Sequence, residues 1–203
     1  LGFYTTYGLE LAFERYGMFE LMRRRGYPRV RLELNLHAGS GEAITVRTDD
    51  ARRLVLLELV VRELRELVPY RLLNIEWLLL QDPQARPTAE RPLLPGQDHP
   101  GLGGLRITMG MLTMAAERLG FDGIAFVPAH YHTAAQARGM LRFVDPRDEA
   151  VFVSIKEAVG ARSLLEATRL MAAGGLLDEA TGEPFPWKPV RMVVPLSAAL
   201  REA

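Results

Sequence analysis

Apolar residues recur with two different periods along this chain, and the two periods alternate through its middle. From Arg29 to His37 they occupy every second position, which predicts a half-buried β-strand. Between Leu105 and Leu119 they recur every three or four positions, which predicts an amphipathic helix that ends at Gly120. This alternation favours an α/β domain of two or three layers over an all-helical bundle.

The same periodicities predict the other elements of secondary structure. Helices are expected from about Gly8 to Arg25, from Ala51 to about Val68, from Asp148 to Val159 and from Ser163 to Ala173, and strands over Ala43–Thr48, Arg71–Gln81, Ile124–Val127 and Val190–Leu196. The helix from Ala51 is the clearest of these, because one apolar stripe runs from Leu54 to Val68 and Asp49-Asp50 supplies an N-cap.

The composition excludes several functional classes. The 203 residues include no cysteine, which excludes disulfides, a thiolate nucleophile and Cys-type zinc sites, and favours a cytoplasmic protein. The 25 basic and 25 acidic side chains balance without any basic block, which argues against nucleic acid or an anionic membrane as the partner. A small-molecule substrate is therefore expected, and a homodimer formed through the apolar N-terminal helix or an edge strand is possible.

A glycine-dense turn precedes the helix that begins at Leu105. Gly101, Gly103 and Gly104 allow the backbone to approach a ligand closely. The first N–H groups of the following helix carry the positive end of its dipole, which suits a phosphate or pyrophosphate. The same residues are also compatible with a simple packing turn.

The order of elements around this turn resembles the acyl-CoA-binding core of the GCN5-related N-acetyltransferases. In that family a strand ends in a proline, and Gln/Arg-x-x-Gly-x-Gly/Ala begins three residues later. Here Pro95 is followed at that spacing by Asp98-His99-Pro100-Gly101-Leu102-Gly103. The helix, the strand Ile124–Val127 and a second helix closed by Phe143 also fit the family pattern. The resemblance covers residues 93–143.

The resemblance implies a mixed central sheet flanked by helices, of the acyl-CoA N-acyltransferase type. Residues 43–150 would form the core, with an N-terminal extension over 1–42, and 151–203 would add helices and a final strand packed on the same domain. Acetyl-CoA or another acyl-CoA would be the substrate, and its acyl group would move to a small amine. The residues expected to bind it are Leu94, Gly101, Leu102, Gly103, Gly104 and Arg106.

Three residues are candidates for the base that an acyl transfer to an amine requires. His130 and His132 follow Ile124–Val127, at the strand end where open α/β sheets bind ligands, and imidazole titrates near working pH. They could equally be loop residues hydrogen-bonded to backbone. Glu76 lies in a strand that looks buried, where apolar neighbours would raise its pKa. Its alternative is an outward-facing residue paired with an arginine.

Two departures from the family pattern bear on ligand binding and on catalysis. Asp98 stands where the family has glutamine or arginine, and a carboxylate weakens pyrophosphate binding unless Arg106 or another cation offsets it. Alignment on Phe143 puts Arg138 where the family often has the tyrosine that protonates the departing thiolate.

These departures keep two other functions open. The first is a domain of the same fold that binds a ligand or a partner without catalysis. The second is a metal-dependent hydrolase in which His130 and His132 share a metal with a third ligand such as His99. We expect no tightly bound metal, because only two of the four histidines lie close in sequence.

Overall fold

The computed structural model describes residues 2–39, 41–67, 69–89 and 92–202. In chain order its elements are α1 (Thr6–Arg15), α2 (Met18–Arg24), β1 (Val30–Ala38), β2 (Gly41–Thr48), β3 (Val55–Leu64), β4 (Leu72–Leu80), α3 (Leu105–Arg118), β5 (Gly123–Phe126), α4 (Tyr131–Ala137), β6 (Arg142–Phe143), α5 (Pro146–Val159), α6 (Leu164–Ala172), β7 (Met192–Pro195) and α7 (Ala198–Glu202). Among these helices none has the length and apolarity needed to cross a membrane.

The chain divides into two compact units. The first comprises Leu1–Pro87, His99–Ala125 and Pro195–Ala203, and the second comprises Thr88–Asp98 and Phe126–Val194. The segment boundary expected at 42/43 falls inside the first unit, and the one expected at 150/151 falls inside the second.

The sheet of the first unit contains both antiparallel and parallel strands. β1 to β4 pair antiparallel in chain order, and β5 lies beside β4. The Asp122 N–H donates to the Arg71 carbonyl at 2.8 Å, and the Arg71 N–H donates to Asp122 Oδ2 at 2.9 Å. These residues directly precede β5 and β4, so the two strands begin together and run parallel. The predicted α/β class with a mixed sheet flanked by helices is confirmed.

The second unit contains a short antiparallel pair of strands and three of the helices. β6 pairs with β7 through Arg142 with Val193 and Phe143 with Met192. An aromatic cluster forms part of its core, in which the ring of Phe152 lies 5.3 Å from that of Phe143 between centroids. Burial of a side chain of this size contributes about 1.5–3 kcal/mol.

The two faces of the first unit's sheet differ in polarity. On one face, α1, α2 and α3 cover apolar strand residues, and the buried side chains there include Phe13, Met18, Met22, Leu57, Leu59, Val61, Met109 and Leu112. The other face of β1 and β2 carries charged residues, among them Arg31, Glu33 and Arg47. This division explains the period of two in the sequence from Arg29 to His37.

The helix predicted from Ala51 to Val68 is wrong, because β3 occupies Val55–Leu64; Val68 itself lies outside the described residues. Residues 55–61 combine valine, which favours strands, with leucine, which favours helices, and their density on both faces imitates a helical stripe. Asp50 accepts hydrogen bonds from the Arg52 and Arg53 N–H groups at 3.0 and 3.3 Å. An aspartate at a turn therefore produced the same signal as a helix N-cap.

The other elements predicted from periodicity are confirmed, with shifted boundaries, but the strand that the resemblance implies before Pro95 is wrong, because residues 92–94 form no strand. The helix expected from Gly8 to Arg25 is two helices, α1 and α2, which are separated at Gly17. The strands expected over Arg71–Gln81 and Ile124–Val127 are β4 and β5.

A buried hydrogen bond fixes the chain after β4. Tyr27 Oη donates to Asp82 Oδ1 at 2.6 Å, and both side chains are buried. The Asp82 N–H donates to the Pro100 carbonyl at 2.8 Å, and the Leu102 N–H donates to the Leu80 carbonyl at 3.1 Å. Burial, together with the hydrogen bond to Asp82, raises the pKa of Tyr27 to about 12. The segment around the glycine turn is thereby tied to β4 and to the residues after α2.

We predict that Tyr27→Phe lowers the free energy of unfolding by about 1–3 kcal/mol, because the buried Asp82 carboxylate loses its donor. The contribution of Tyr27 to the free energy of unfolding is complete below the ordinary tyrosine pKa of 10.0 and is lost as pH rises through about 12. Urea unfolding between pH 8 and 11.5 measures both effects.

The control for this prediction is Tyr7→Phe, because Tyr7 is 69% exposed and forms no part of the buried pair. Equal stability losses in the two variants would contradict a stabilising role for the Tyr27–Asp82 hydrogen bond. So would a Tyr27→Phe protein that loses stability at high pH as steeply as the parent.

Candidate functional site

The glycine turn lies in the first unit, between the end of β4 and the start of α3. Gly101 forms an isolated antiparallel bridge with Gln81. Gly103 has φ +89°, in the left-handed region that favours glycine. A Cβ on the buried Gly104 would lie 3.2 Å from Met18 Sδ, so α2 packs directly against the turn. The turn is therefore packed against α2 at Gly104, whereas Gly103 is exposed and is favoured by its backbone conformation.

The other residues predicted to bind the acyl-CoA lie in different surroundings. Leu102 is fully buried and anchors the turn in the core. Arg106 is exposed on the first turn of α3. Leu94 belongs to the second unit, where its N–H donates to Gln97 Oε1 at 3.0 Å and its carbonyl accepts from the Gln97 N–H at 3.0 Å.

The first turn of α3 presents main-chain donors beside a cation. The Thr108 N–H donates to the Gly104 carbonyl, and Gly104 supplies no side-chain cap. The N–H groups of residues 105–107 therefore lack helical acceptors. A Cβ on Gly103 would lie 3.3 Å from Arg25 Nη2, which places the guanidinium at the turn. Within the described residues Arg25 has no carboxylate partner, so its charge can attract an anion.

Sequence patterns gave no signal for Arg25. It follows α2 and lies 78 positions before Gly103 in the chain. Only the packing of α2 against the glycine turn brings the two together.

Glu76 occupies a β-bulge in β4. Val60 pairs with Trp77 and Val61 with Ile75, so Glu76 is an extra residue without a partner on β3. Glu76 and Trp77 are consecutive exposed residues for this reason. The expectation of a buried Glu76 is wrong, because periodicity does not reveal a bulge, and the alternative of an outward-facing residue paired with an arginine is confirmed by Arg62.

Two donors hold one oxygen of the Glu76 carboxylate. Arg62 Nε, from β3, forms a hydrogen-bonded ion pair with Oε1, and Asn74 Nδ2 donates to the same atom at 2.8 Å. Across the described part of the chain, Oε2 has no protein donor and remains able to accept from a ligand. Asn74 is itself buried, and its Oδ1 has no hydrogen-bond partner among the described atoms.

His130 and His132 lie in the second unit, at the start of α4. His130 is the exposed N-cap residue, whereas His132 is only 4% exposed. Their rings stack with centroids 5.2 Å apart and planes 10° apart. Burial, reinforced by His130, lowers the pKa of His132 to about 4. His132 is therefore neutral at physiological pH and a poor acceptor for a substrate proton.

The turn that contains Leu94 lies against His130. Gly96 has φ +83°, and a Cβ there would lie 2.8 Å from His130 Nε2. The second unit thus brings two sequence-predicted regions together, the residues before the glycine turn and the histidine pair.

The metal alternative lacks a third ligand in the structure. Among the residues described, no three His, Asp or Glu side chains are grouped to hold a metal ion. His132 Nδ1 is buried and has no hydrogen-bond partner there.

The region that aligns with the family's tyrosine is occupied by other interactions. Arg138 Nε donates to Glu149 Oε1 at 3.0 Å, and a second, shorter contact joins the same groups. Tyr131 is buried, with its ring 5.7 Å from that of Phe152 and 5.9 Å from that of Trp187, and burial raises its pKa. Trp187 Nε1 donates to the Pro128 carbonyl at 3.0 Å, which anchors the proline-rich segment.

No family model matches this chain, and no curated protein matches it.

We predict that His132 makes the stability of the protein pH-dependent. Because its pKa falls from 6.5 to about 4 in the folded state, its contribution is complete above pH 6.5 and is lost as pH falls through about 4. Between pH 6.5 and 4 the free energy of unfolding should fall by up to about 3 kcal/mol on account of His132. Urea unfolding from pH 7.5 to 4 should show this loss, and His132→Phe should reduce it.

His37→Phe on β1 is the matched control, since His37 is exposed. If the pH profiles of the His132→Phe and His37→Phe proteins coincide, the buried imidazole is not the group responsible.

Proposed function

We propose that this protein is an acyltransferase that binds an acyl-CoA at the glycine turn and moves its acyl group to a small amine. The observation that carries the proposal is the combination of Gly103, the open N–H groups of residues 105–107 and the guanidinium of Arg25. The diphosphate of coenzyme A offers oxygens to the amides and negative charge to Arg25.

The parallel strands β4 and β5 give the proposal its second support. They begin together, but β4 has nine residues and β5 has four. β5 can therefore follow only the first half of β4, and the segment Pro100–Leu102 meets the far end of β4. We propose that the β4 edge between these two partners offers main-chain amides to the thioester carbonyl oxygen, where charge develops in the transition state.

The transfer itself requires a proton acceptor. The neutral amine attacks the thioester carbonyl carbon, the carbonyl oxygen becomes an oxyanion, and collapse breaks the C–S bond and releases the thiolate of coenzyme A. Glu76 Oε2, which has no protein donor in the described structure, is the proposed acceptor of the ammonium proton, directly or through water. Glu76 is preferred because it shares the first unit with the glycine turn, and His130 is the second candidate.

The second candidate function is ligand binding without catalysis by a domain of the same fold. The observation that favours it is the Arg138–Glu149 pair where the family has its tyrosine, together with the burial of Tyr131. Neither residue is free to protonate a departing thiolate. The proposed transferase would therefore release thiolate without a tyrosine acid.

We predict that Arg25→Gln weakens acetyl-CoA binding by about fivefold, because a half-exposed cation beside a diphosphate contributes on the order of 1 kcal/mol. Titration calorimetry at low salt measures the change. Arg24→Gln is the matched control, since Arg24 is exposed on α2 one position away. Equal affinities in the two variants would remove Arg25 from the site, and an absence of binding in the parent protein would reduce the turn to a packing feature.

We predict that Glu76→Gln lowers kcat by about 100-fold or more while acetyl-CoA affinity is unchanged, because the variant cannot accept the proton. The chain has no cysteine, so a thiol reagent detects only released coenzyme A. Glu117→Gln, on the exposed side of α3, is the control. Binding of acetyl-CoA without turnover across a panel of primary amines would select the non-catalytic alternative.

A further inference from the structure

An apolar groove lies within the first unit, between α1, α3 and the covered face of the sheet. Its cavity volume is about 140 Å³, and the groove opens to solvent along its length. Leu9 and Phe13 form one wall, Met111 and Ala115 the other, and Leu34 and Leu59 the floor. The groove begins at Thr108 and so runs along α3 beyond its first turn, apart from the glycine turn. A ligand bound in this groove is therefore independent of the proposed transferase activity.

Apolar side chains remain exposed along this groove. Leu36 is 38% exposed, Met114 is 39% exposed and Tyr16 is 43% exposed, although all three line it. Single exposed apolar side chains are ordinary, whereas several gathered on one concave surface mark a binding groove. The first unit thus leaves a concave apolar surface beside its buried core, between α1 and α3.

Charge along the groove is restricted to two residues. Glu42 and Arg118 are the charged side chains that line it. Glu42 is engaged in an interaction of its own. Arg118, in the last turn of α3, has no ion pair or hydrogen bond from its guanidinium within the described structure. An apolar cleft with one available cation is complementary to a molecule with an apolar chain and one negative charge.

We propose that this groove binds a free single-chain fatty carboxylate, with its chain between α1 and α3 and its carboxylate at Arg118. From Thr108 to Arg118 the helix rises about 15 Å, close to the length of an extended chain of about twelve carbons. The guanidinium can receive a carboxylate through two parallel hydrogen bonds. An apolar groove with a single available cation suits one chain and one head group.

Chain length and charge provide the first test. Calorimetry with octanoate, decanoate and dodecanoate below their micelle concentrations should show affinity rising roughly fourfold for each added methylene, until the groove is filled. Arg118→Gln should lower the affinity for dodecanoate about fivefold and leave the affinity for dodecanol unchanged. Arg24→Gln, an exposed arginine away from the groove, should change neither. Equal effects of the two arginine substitutions would overturn the assignment of the carboxylate to Arg118.

Blocking the groove provides the second test. Ala12→Trp fills it from α1 and Ala115→Trp fills it from α3, so either variant that keeps the parent circular dichroism and melting behaviour can be used. Dodecanoate binding should be lost in the folded variant. Undiminished binding, or no binding by the parent protein, would overturn the proposal. A dimer in sedimentation that Ala12→Trp dissociates, without dodecanoate binding by the parent, would assign the groove to a second copy of the chain instead.

Discussion

The hydrogen bond from Tyr27 to Asp82 is the contact on which the rest of the first unit depends. A carboxylate that is only 4% exposed would be costly to bury without a donor, and Tyr27 supplies that donor at 2.6 Å. The main chain of Asp82 in turn holds Pro100, two residues before Leu102. One side-chain pair thus joins the residues after α2, the end of β4 and the entry to the glycine turn. Together with the hydrogen bond from Leu102 to Leu80, it sets the direction in which α3 begins.

The same short segment supplies both this anchor and the cation at the turn. Arg25 and Tyr27 are two residues apart, and Met18 of the preceding helix packs against Gly104. Stability and the proposed ligand site are therefore coupled through α2. A substitution that loosens α2 should change the position of Arg25 as well as the free energy of unfolding, which is why binding measurements on this site need a stability measurement beside them.

Sequence reasoning located the elements better than the side-chain environments. Period and turn signals predicted α3 and β4, because both follow from local patterns, but failed at β3, where apolar residues fill both faces. The glycine turn was visible as a motif, whereas Arg25 came from a distant helix and had no local signature. The histidine pair was predicted as a unit, yet the burial that separates His132 from His130 arises from packing within the second unit. Contacts of this kind are set by tertiary structure, which periodicity does not encode.

The bulge at Glu76 shows how one inserted residue determines both faces of β4. In an unbroken strand, alternation from Ile75 would put Trp77 on the same face as Ile75. With Glu76 as the extra residue, Trp77 pairs with Val60, while Leu78 and Leu80 pair with Leu59 and Leu57, whose side chains line the groove. Paired residues share a face, so the bulge returns leucines to the apolar side and leaves Glu76 exposed beside Asn74. The Leu80 carbonyl that holds Leu102 lies at the end of this shifted register. A single residue therefore couples the exposure of the proposed proton acceptor to the anchoring of the turn proposed to bind the acyl donor.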